Sequence, residues 1–255
     1  MIIGLPLTGL GVMELSHIRD VRKLRESNPG KTAMMQYRID QAQRKGEETP
    51  RVTQFWVSLD RVSEPLTQAI VTAEDDRFYS HRGFDTVEIK KAAELNLREG
   101  TAIRGASTIS QQLAKNLYLS PKKRFTRKIQ EATITVAIEK SISKERILEL
   151  YVNIIEMGRG VFGVEAASRW YFRKPASEIE PHEATLMATA IPAPLRRNPA
   201  CPSEGHKKLA RRLLYRLKNK NALSDHQLRE ALAGLDTMQC VKNKDAESGE
   251  NSEGH

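Results

Sequence analysis

The chain has 255 residues, enough for one or two domains with a buried core. Its 39% hydrophobic and 29% charged content, without excess glycine or proline, is that of a folded globular protein and not of a low-complexity chain. The net charge of +9 favours an anionic partner, such as nucleic acid, a phosphorylated substrate or an anionic lipid, although many basic surfaces are merely solvated.

The N-terminal region divides into an apolar and a polar segment. Residues 1–15 are apolar, but a spanning helix needs about 20 such residues. No basic flank precedes them, so they also make a poor signal peptide. We expect a partial or truncated membrane anchor here, with a buried first helix as the alternative. Residues 16–48 are strongly charged and are predicted to be a membrane-proximal linker or helical stalk rather than core.

Helical patterns dominate from Ser63 onward, so we expect a mainly helical fold. Ser63 can cap a helix whose first turn contains Pro65 and whose apolar residues recur at helical spacing. Further helices are predicted at about 86–98, 108–118, 125–140, 161–171, 180–191, 203–219 and 224–234. One more is capped by Ser143, and residues 52–59 are the best strand candidate.

These elements predict a single domain over residues 49–235, followed by a disordered polar tail at 236–255. In the helix at 125–140, Ile129 and Val136 are expected to lie on one face. Cys201 and Cys240 could pair in an oxidising compartment, but they lack the spacing of a metal site.

Three carboxylates, Glu74, Asp75 and Asp76, follow the apolar stripe of the helix that begins near residue 63. Acids beside a hydrophobic surface tend to have raised pKa values, which suits general acid or base catalysis. The alternative is an exposed acidic helix end balanced by the cations that follow, and spacing alone favours that alternative.

The segment GASTISQQLAKN, residues 105–116, gathers hydroxyls, amides and a cation at a turn and a helix start. Gln112 and Lys115 are three residues apart and therefore share a helix face. The helix N-terminus can also hold an anion. Candidate ligands for sugar and phosphate oxygens are Ser107, Gln112, Lys115 and Asn116. The alternative is an ordinary Ser/Thr helix cap with exposed amides.

The segment KKRFTRKIQE, residues 122–131, is densely basic. Lys123, Arg127 and Lys128 could clamp a pyrophosphate, with Glu131 placed among them. Taken alone, the segment is better explained by surface salt bridges from Glu131 to Arg127 or Lys128.

In order and spacing, these segments resemble the motifs of the peptidoglycan glycosyltransferases, glycosyltransferase family 51. The pattern E-D-x-x-F-x-x-H-x-G-x-D starts at Glu74, and G-x-S-T-I-x-Q-Q-x-x-K-N starts at Gly105. R-K-x-x-E starts at Arg127, and K-x-x-I-L-E-x-Y-x-N starts at Lys144. The resemblance covers residues 50–200, and four ordered motifs are very unlikely to arise by chance.

Two positions depart from the family pattern: Met157 stands where tryptophan is expected, and Ala106 where glycine is commoner. The short distance from the motifs to residue 255 suggests the monofunctional form without a transpeptidase domain. The resemblance implies a lysozyme-like helical domain with a long cleft and a smaller membrane-facing subdomain. It also implies polymerisation of lipid II into β-1,4-linked glycan with inversion, releasing undecaprenyl pyrophosphate, in cell-wall biogenesis.

The resemblance implies roles for individual residues as well. Glu74 would accept the proton of the attacking sugar hydroxyl. Lys115, Lys123 and Lys128 would stabilise the leaving pyrophosphate. Glu131 would orient those cations or a metal, or hold the donor. A divalent cation, Mg²⁺ or Mn²⁺, could assist, but no ligand cluster in the sequence demands one.

The expected partners are lipid II, the growing lipid-linked glycan, membrane lipids and proteins of cell division or wall synthesis, and not nucleic acid. The expected location is the bacterial inner membrane, with a single-pass N-terminal anchor and a periplasmic catalytic domain.

Two other functions stay open. A lytic muramidase-like enzyme fits the fold but has no need of the cations at 115–128. A non-catalytic basic module that binds membrane or nucleic acid fits the charges at 122–128, but not the acids at 74–76 or the polar segment at 105–116.

Overall fold

A computed structural model of the chain describes residues 20–99, 106–121 and 126–240. As the sequence predicts, this part is mainly helical. Its helices, in chain order, are α1 (Ala33–Lys45), α2 (Glu64–Glu74), α3 (Thr86–Glu99), α4 (Ile109–Tyr118), α5 (Arg127–Ser141), α6 (Lys144–Ile154), α7 (Val164–Phe172), α8 (Pro181–Ala190), α9 (Glu204–Asn219) and α10 (Asp225–Thr237).

A small sheet lies beside these helices. Its strands are β1 (Thr53–Gln54), β2 (Glu156–Gly158) and β3 (Val161–Phe162). The central strand β3 pairs with β1 in parallel and with β2 in antiparallel, and the second pairing contains a bulge.

Serine caps start several helices where the sequence predicts. The Ser63 hydroxyl accepts the N–H of Leu66 at the start of α2, and Ser143 accepts the N–H of Arg146 at the start of α6. Each such bond satisfies a donor that the first turn leaves free. These caps explain why the predicted starts of α2 and α6 agree with the structure.

The predicted strand at 52–59 shrinks to the two residues of β1. The reason is the Asn153 side chain, which accepts the N–H of Val57 and donates to its carbonyl, both at 2.8 Å. An amide side chain thus replaces a neighbouring strand. The helix predicted at 161–171 begins only at Val164, after Gly163. Gly163 has φ of 81°, and a Cβ there would lie 2.5 Å from the Asn153 carbonyl oxygen.

Helix α4 is central to one half of the core. It packs on α1, α5 and α6, and its apolar residues Ile109 and Leu113 are fully buried. In the other half, α2, α8 and α9 pack on one another. The active-site candidates on α2 and α4 therefore sit on elements held from several sides.

Helix α5 does not bury the face on which Ile129 and Val136 were predicted to lie together. Ile134 and Ile138 are buried against the core, whereas Ile129 is 63% exposed and Val136 is 39% exposed. The shared apolar face was predicted from spacing, but the position of α4 decides which side of α5 is buried.

Residues 20–48, predicted to be a polar linker or stalk, are attached to the domain. Val21 and Leu24 belong to the hydrophobic core, and Met35 on α1 is also buried. The Arg38 guanidinium binds both carboxylate oxygens of Glu156 at 2.7 Å. A few apolar residues within this charged segment are enough to pack it against the helical domain.

The side chain of Arg146 fastens the segment before α1 to α6. It donates to the carbonyl oxygens of Leu24 and Ser27 at 2.9 and 3.0 Å, and to Oδ1 of Asn28 at 2.8 Å. The backbone of residues 24–28 is therefore held at a fixed place on the domain.

The predicted anchor at 1–15 and most of the predicted tail, 241–255, lie outside the described residues. Within the described ranges, no helix combines the length and apolar character needed to cross a bilayer. Cys201 and Cys240 form a disulfide that joins the segment before α9 to the segment after α10.

Candidate active site

Glu74 is the last residue of α2, and its carboxylate is half-buried where α2 meets α4. Its Oε2 accepts a hydrogen bond from Nε2 of Gln112 at 2.8 Å. Burial raises the pKa of Glu74, and the neighbouring Asp75 charge adds to this rise. The Gln112 hydrogen bond and the charges of Lys115 and Arg197 oppose it. A carboxyl poised in this way suits proton transfer.

Asp75 is buried and has a structural task. Its Oδ1 lies 2.8 Å from Nε2 of His81, and its Oδ2 accepts the backbone N–H of Ile109 at 3.0 Å. Ile109 is the first residue of α4, so the Asp75 side chain links the end of α2 to the start of α4.

Asp76, in contrast, is exposed and pairs with Arg216 on α9 at 3.7 Å and with Lys220, the residue that follows α9, at 2.6 Å. Asp76 is thus exposed, as the alternative interpretation expects, but the cations that balance it are Arg216 and Lys220 and not those that follow it in sequence. That interpretation does not describe Glu74 or Asp75.

The polar segment before and within α4 also divides into structural and site-facing residues. Thr108 and Gln111 form a capping box at the start of α4, and the Thr108 hydroxyl donates to the Gly83 carbonyl at 2.6 Å. Ser110 donates to Glu139. The ordinary-cap interpretation is therefore correct for the bonds of Thr108 and Gln111, although the Gln111 amide is buried and not exposed. Ser110 bonds instead to α5, and Gln112 bonds to Glu74.

Lys115 lies one turn after Gln112 and is half-buried. Burial lowers the pKa of its ammonium group, Glu131 and Glu74 act to raise it, and Arg127 and Lys128 act to lower it. Lys115 therefore lies in the electrostatic field of both acids. A partly dehydrated cation of this kind interacts more strongly with an anionic ligand than a fully exposed one.

Glu131 is buried on α5 and pairs with the exposed ammonium of Lys128. The short-range salt bridge expected from the sequence is therefore present, but one of its partners lies inside the protein. The structure places the remaining described candidates as follows: Arg127 is half-buried, Asn116 is buried in α4, and Ser107 is exposed. Lys123 and Gly105 lie outside the described residues.

Asp75, His81 and Asp85 place potential metal-ligand atoms within 4.8 Å of one another. Nδ1 of His81 and Oδ2 of Asp85 are buried without a hydrogen-bond partner among the described residues. Oδ1 of Asp85 caps α3 through the N–H groups of Val87 and Glu88. The three side chains could hold a cation, and they already hold the backbone between α2 and α4.

Two residues near Glu74 were not named as site residues from the sequence. Arg197, which follows α8, contributes positive charge at Glu74 and donates to the Thr189 carbonyl. The only sequence signal for Arg197 is that two adjacent arginines lie between Pro194 and Pro199.

Tyr151 on α6 is fully buried and donates to Oε1 of Gln112 at 2.9 Å. Tyr151 belongs to the motif that starts at Lys144, but the spacing of that motif does not predict its hydrogen bond to Gln112.

The chain is similar in sequence to proteins of known family. A sequence model described as transglycosylase matches residues 42–218. A biosynthetic peptidoglycan transglycosylase of Aromatoleum aromaticum is 51% identical over 169 residues, which is 66% of this chain and 73% of that protein. A protein of the same name from Azoarcus is 49% identical over 67% of this chain and 73% of that protein. Another from Shigella boydii is 47% identical over 68% of this chain and 73% of that protein.

Proposed function

The chain belongs to the transglycosylase family, and on that premise we propose how its residues perform peptidoglycan glycosyltransfer in cell-wall synthesis. The substrates of this enzyme are lipid II and glycan strands. The observation that carries the assignment of the site is the half-buried Glu74, whose pKa is raised by burial and whose carboxylate lies beside Gln112 and the cation Lys115.

The reaction joins the 4-hydroxyl of the acceptor sugar to the anomeric carbon of the donor. The bond from that carbon to the lipid pyrophosphate breaks, and its electron pair leaves with the pyrophosphate. Attack from the opposite face converts an α-linked donor into a β-1,4 linkage. A sugar hydroxyl is a weak nucleophile, so Glu74 accepts its proton as the new bond forms.

The leaving pyrophosphate gains negative charge, which nearby cations stabilise. Lys115 is the best supported of these, because it is partly dehydrated and lies in the field of Glu74. Arg127 and Lys128 add positive charge at Lys115, and the buried Glu131 holds the Lys128 ammonium. In this proposal Glu131 orients cations and does not act as the base. Lys123, Ser107 and Asn116 remain candidate substrate ligands.

The enzyme works at a bilayer surface in this proposal. Exposing the polyprenyl tail of lipid II to water is costly, so the site must come to the lipid. An excess of Lys and Arg favours anionic head groups. We assign the domain to the periplasmic side of the inner membrane, with residues 1–15 as part of its anchor. Proteins of wall synthesis or cell division are the proposed partners.

A lipid II assay separates this function from its alternatives. The wild-type protein is incubated with lipid II, with purified cell wall, and with duplex DNA at several salt concentrations. We expect glycan polymer and released undecaprenyl pyrophosphate from the first mixture only. Solubilised muropeptides from the second would support a muramidase, and salt-sensitive DNA binding without lipid II turnover would support a binding module. Parallel lipid II reactions with EDTA and with Mg²⁺ or Mn²⁺ measure the need for a divalent cation.

A further inference from the structure

A chain of three side chains runs from the core to the candidate base. Tyr151 on α6 is fully buried, and its hydroxyl donates to Oε1 of Gln112 at 2.9 Å. Nε2 of the same amide donates to Oε2 of Glu74 at 2.8 Å. Gln112 thus connects a phenol that is inaccessible to solvent with the half-buried carboxylate of Glu74.

Tyr151 sets the donor-to-acceptor direction of these two hydrogen bonds. Burial and the charges of Glu74 and Asp75 raise the pKa of Tyr151 well above its ordinary value, so the hydroxyl keeps its proton. Within the described residues Gln112 is its hydrogen-bond partner. A buried O–H without an acceptor is costly, so the amide oxygen of Gln112 is held toward Tyr151 and its N–H toward Glu74.

We propose that Tyr151 is a positioning residue for the catalytic base: by fixing the amide of Gln112, it keeps an N–H donor 2.8 Å from Oε2 of Glu74 and so holds the Glu74 carboxylate in one orientation. This inference rests on the proposed role of Glu74. A hydrogen bond given to the charged form of a carboxyl favours that form. Tyr151 would therefore act on Glu74 without touching either the substrate or Glu74 itself.

The alternative amide orientation shows what Tyr151 prevents. With the amide reversed, Oε1 of Gln112 would face Glu74 and would accept a hydrogen bond only from a protonated carboxyl. The reversed N–H would face Tyr151, whose own proton would then lack an acceptor. Loss of the phenol hydroxyl removes this penalty, so protonation of Glu74 and reversal of the amide become easier together.

The first test is the variant Tyr151→Phe, which keeps the ring and removes the hydroxyl. We expect the acid limb of its lipid II polymerisation rate to move upward by about 0.4–1 pH unit, the shift equivalent to one net hydrogen bond. The rate should recover toward that of the wild type at alkaline pH. A uniform loss at every pH would indicate a merely structural role and would overturn the proposal.

Tyr171→Phe is the matched control. Tyr171 is also a buried tyrosine, and its hydroxyl donates to the Met157 carbonyl at 2.8 Å. It is not connected to Glu74 by a hydrogen bond among the described residues. We expect Tyr171→Phe to leave the pH profile in place, even if it lowers the melting temperature as much as Tyr151→Phe does. An equal upward shift in both variants would contradict a specific role for Tyr151.

A double-variant cycle identifies the route of the effect. Gln112→Leu removes the amide that connects Tyr151 to Glu74, so adding Tyr151→Phe to it should change the acid limb no further. Full additivity of the two shifts would show that Tyr151 acts by another path.

The closing measurement does not depend on turnover. Infrared titration of the wild type, with the Glu74→Gln variant as the spectrum to subtract, follows the Glu74 carboxylate directly. We expect its midpoint to rise in Tyr151→Phe and to stay unchanged in Tyr171→Phe. An unchanged midpoint in Tyr151→Phe overturns the inference. A raised midpoint in a protein that does not polymerise lipid II would leave the inference standing and refute the proposed function instead.

Discussion

The carboxylate of Asp75 accepts the backbone N–H of Ile109 at 3.0 Å, and this bond fixes the end of α2 against the start of α4. Glu74 is the residue before Asp75, and Gln112 and Lys115 lie within the first two turns of α4. The distance between the candidate base and its neighbours on α4 therefore depends on a residue that has no proposed part in the chemistry.

Glu74→Gln should lower glycan synthesis from lipid II by at least about 10²–10⁴-fold, the usual contribution of a general base. The amide keeps the size of the side chain and can still accept from Gln112, so the fold should be intact by circular dichroism. Asp76→Asn is the control, since Asp76 is exposed and bound to Lys220. Near-normal synthesis by Glu74→Gln would refute the assignment of the base.

The stability of Glu74→Gln should depend on pH in a defined direction. Because burial raises the pKa of Glu74 in the folded state, its contribution to stability is complete below the pKa of the unfolded chain. That contribution is lost as pH rises through the folded-state pKa. The melting temperature of Glu74→Gln minus that of the wild type should therefore be more positive at pH 7.5 than at pH 4. Melting curves at both pH values test this, and a pH-independent difference would contradict it.

Lys115→Met should reduce the rate of polymerisation by about 10²-fold, the typical effect of removing one preplaced group from a developing charge. The acid limb of the rate should also move upward, because the Lys115 charge lowers the pKa of Glu74. Steady-state rates across pH measure both effects. Lys220→Met removes an equal charge, one that pairs with the exposed Asp76, and it should have neither effect.

Asp75→Ala should destabilise the protein by about 2–4 kcal/mol, because it leaves the N–H of Ile109 and the His81 imidazole without their buried acceptor. Urea unfolding followed by circular dichroism measures this free energy. Asp76→Ala removes only exposed ion pairs and should cost less than about 1 kcal/mol. Equal losses from the two substitutions would mean that the link between α2 and α4 is not important for stability.

Reduction of the disulfide should lower the free energy of unfolding by about 2–4 kcal/mol, because Cys201 and Cys240 are 39 residues apart and the bond restricts the unfolded chain. Melting temperatures with and without dithiothreitol measure the effect. The double variant Cys201→Ser, Cys240→Ser should be insensitive to the reductant. Glycan synthesis below the melting temperature should not change, since neither cysteine is a proposed site residue.

Local features of this fold were predictable because they depend on residues close in sequence. The caps at Ser63 and Ser143 involve partners three positions away, and both were correct. The buried face of α5 was not predictable in the same way. Ile129 and Ile134 are equally apolar, and only the packing of α5 against α4 decides that Ile134 is inside.

The site shows the same limit. The sequence offered three adjacent acids, and nothing in their spacing tells which of them bonds to Ile109, 34 residues further along. Family resemblance selected Glu74, but it did not predict that Gln112 would bond to Glu74 and Tyr151. Long-range partners of this kind are set by tertiary packing, so they become visible only when α2, α4 and α6 are placed together.

The three hydrogen bonds from Arg146 to residues 24–28 also give the domain a mechanical property. Together with the buried Val21 and Leu24, they resist rotation of the helical domain about Asp20, because several contacts would have to break at once. A force applied at Asp20 would pass into the core through Val21 and Leu24 and into α6, the helix that carries Tyr151, through Arg146. The position of Asp20 is thereby coupled to that of α6.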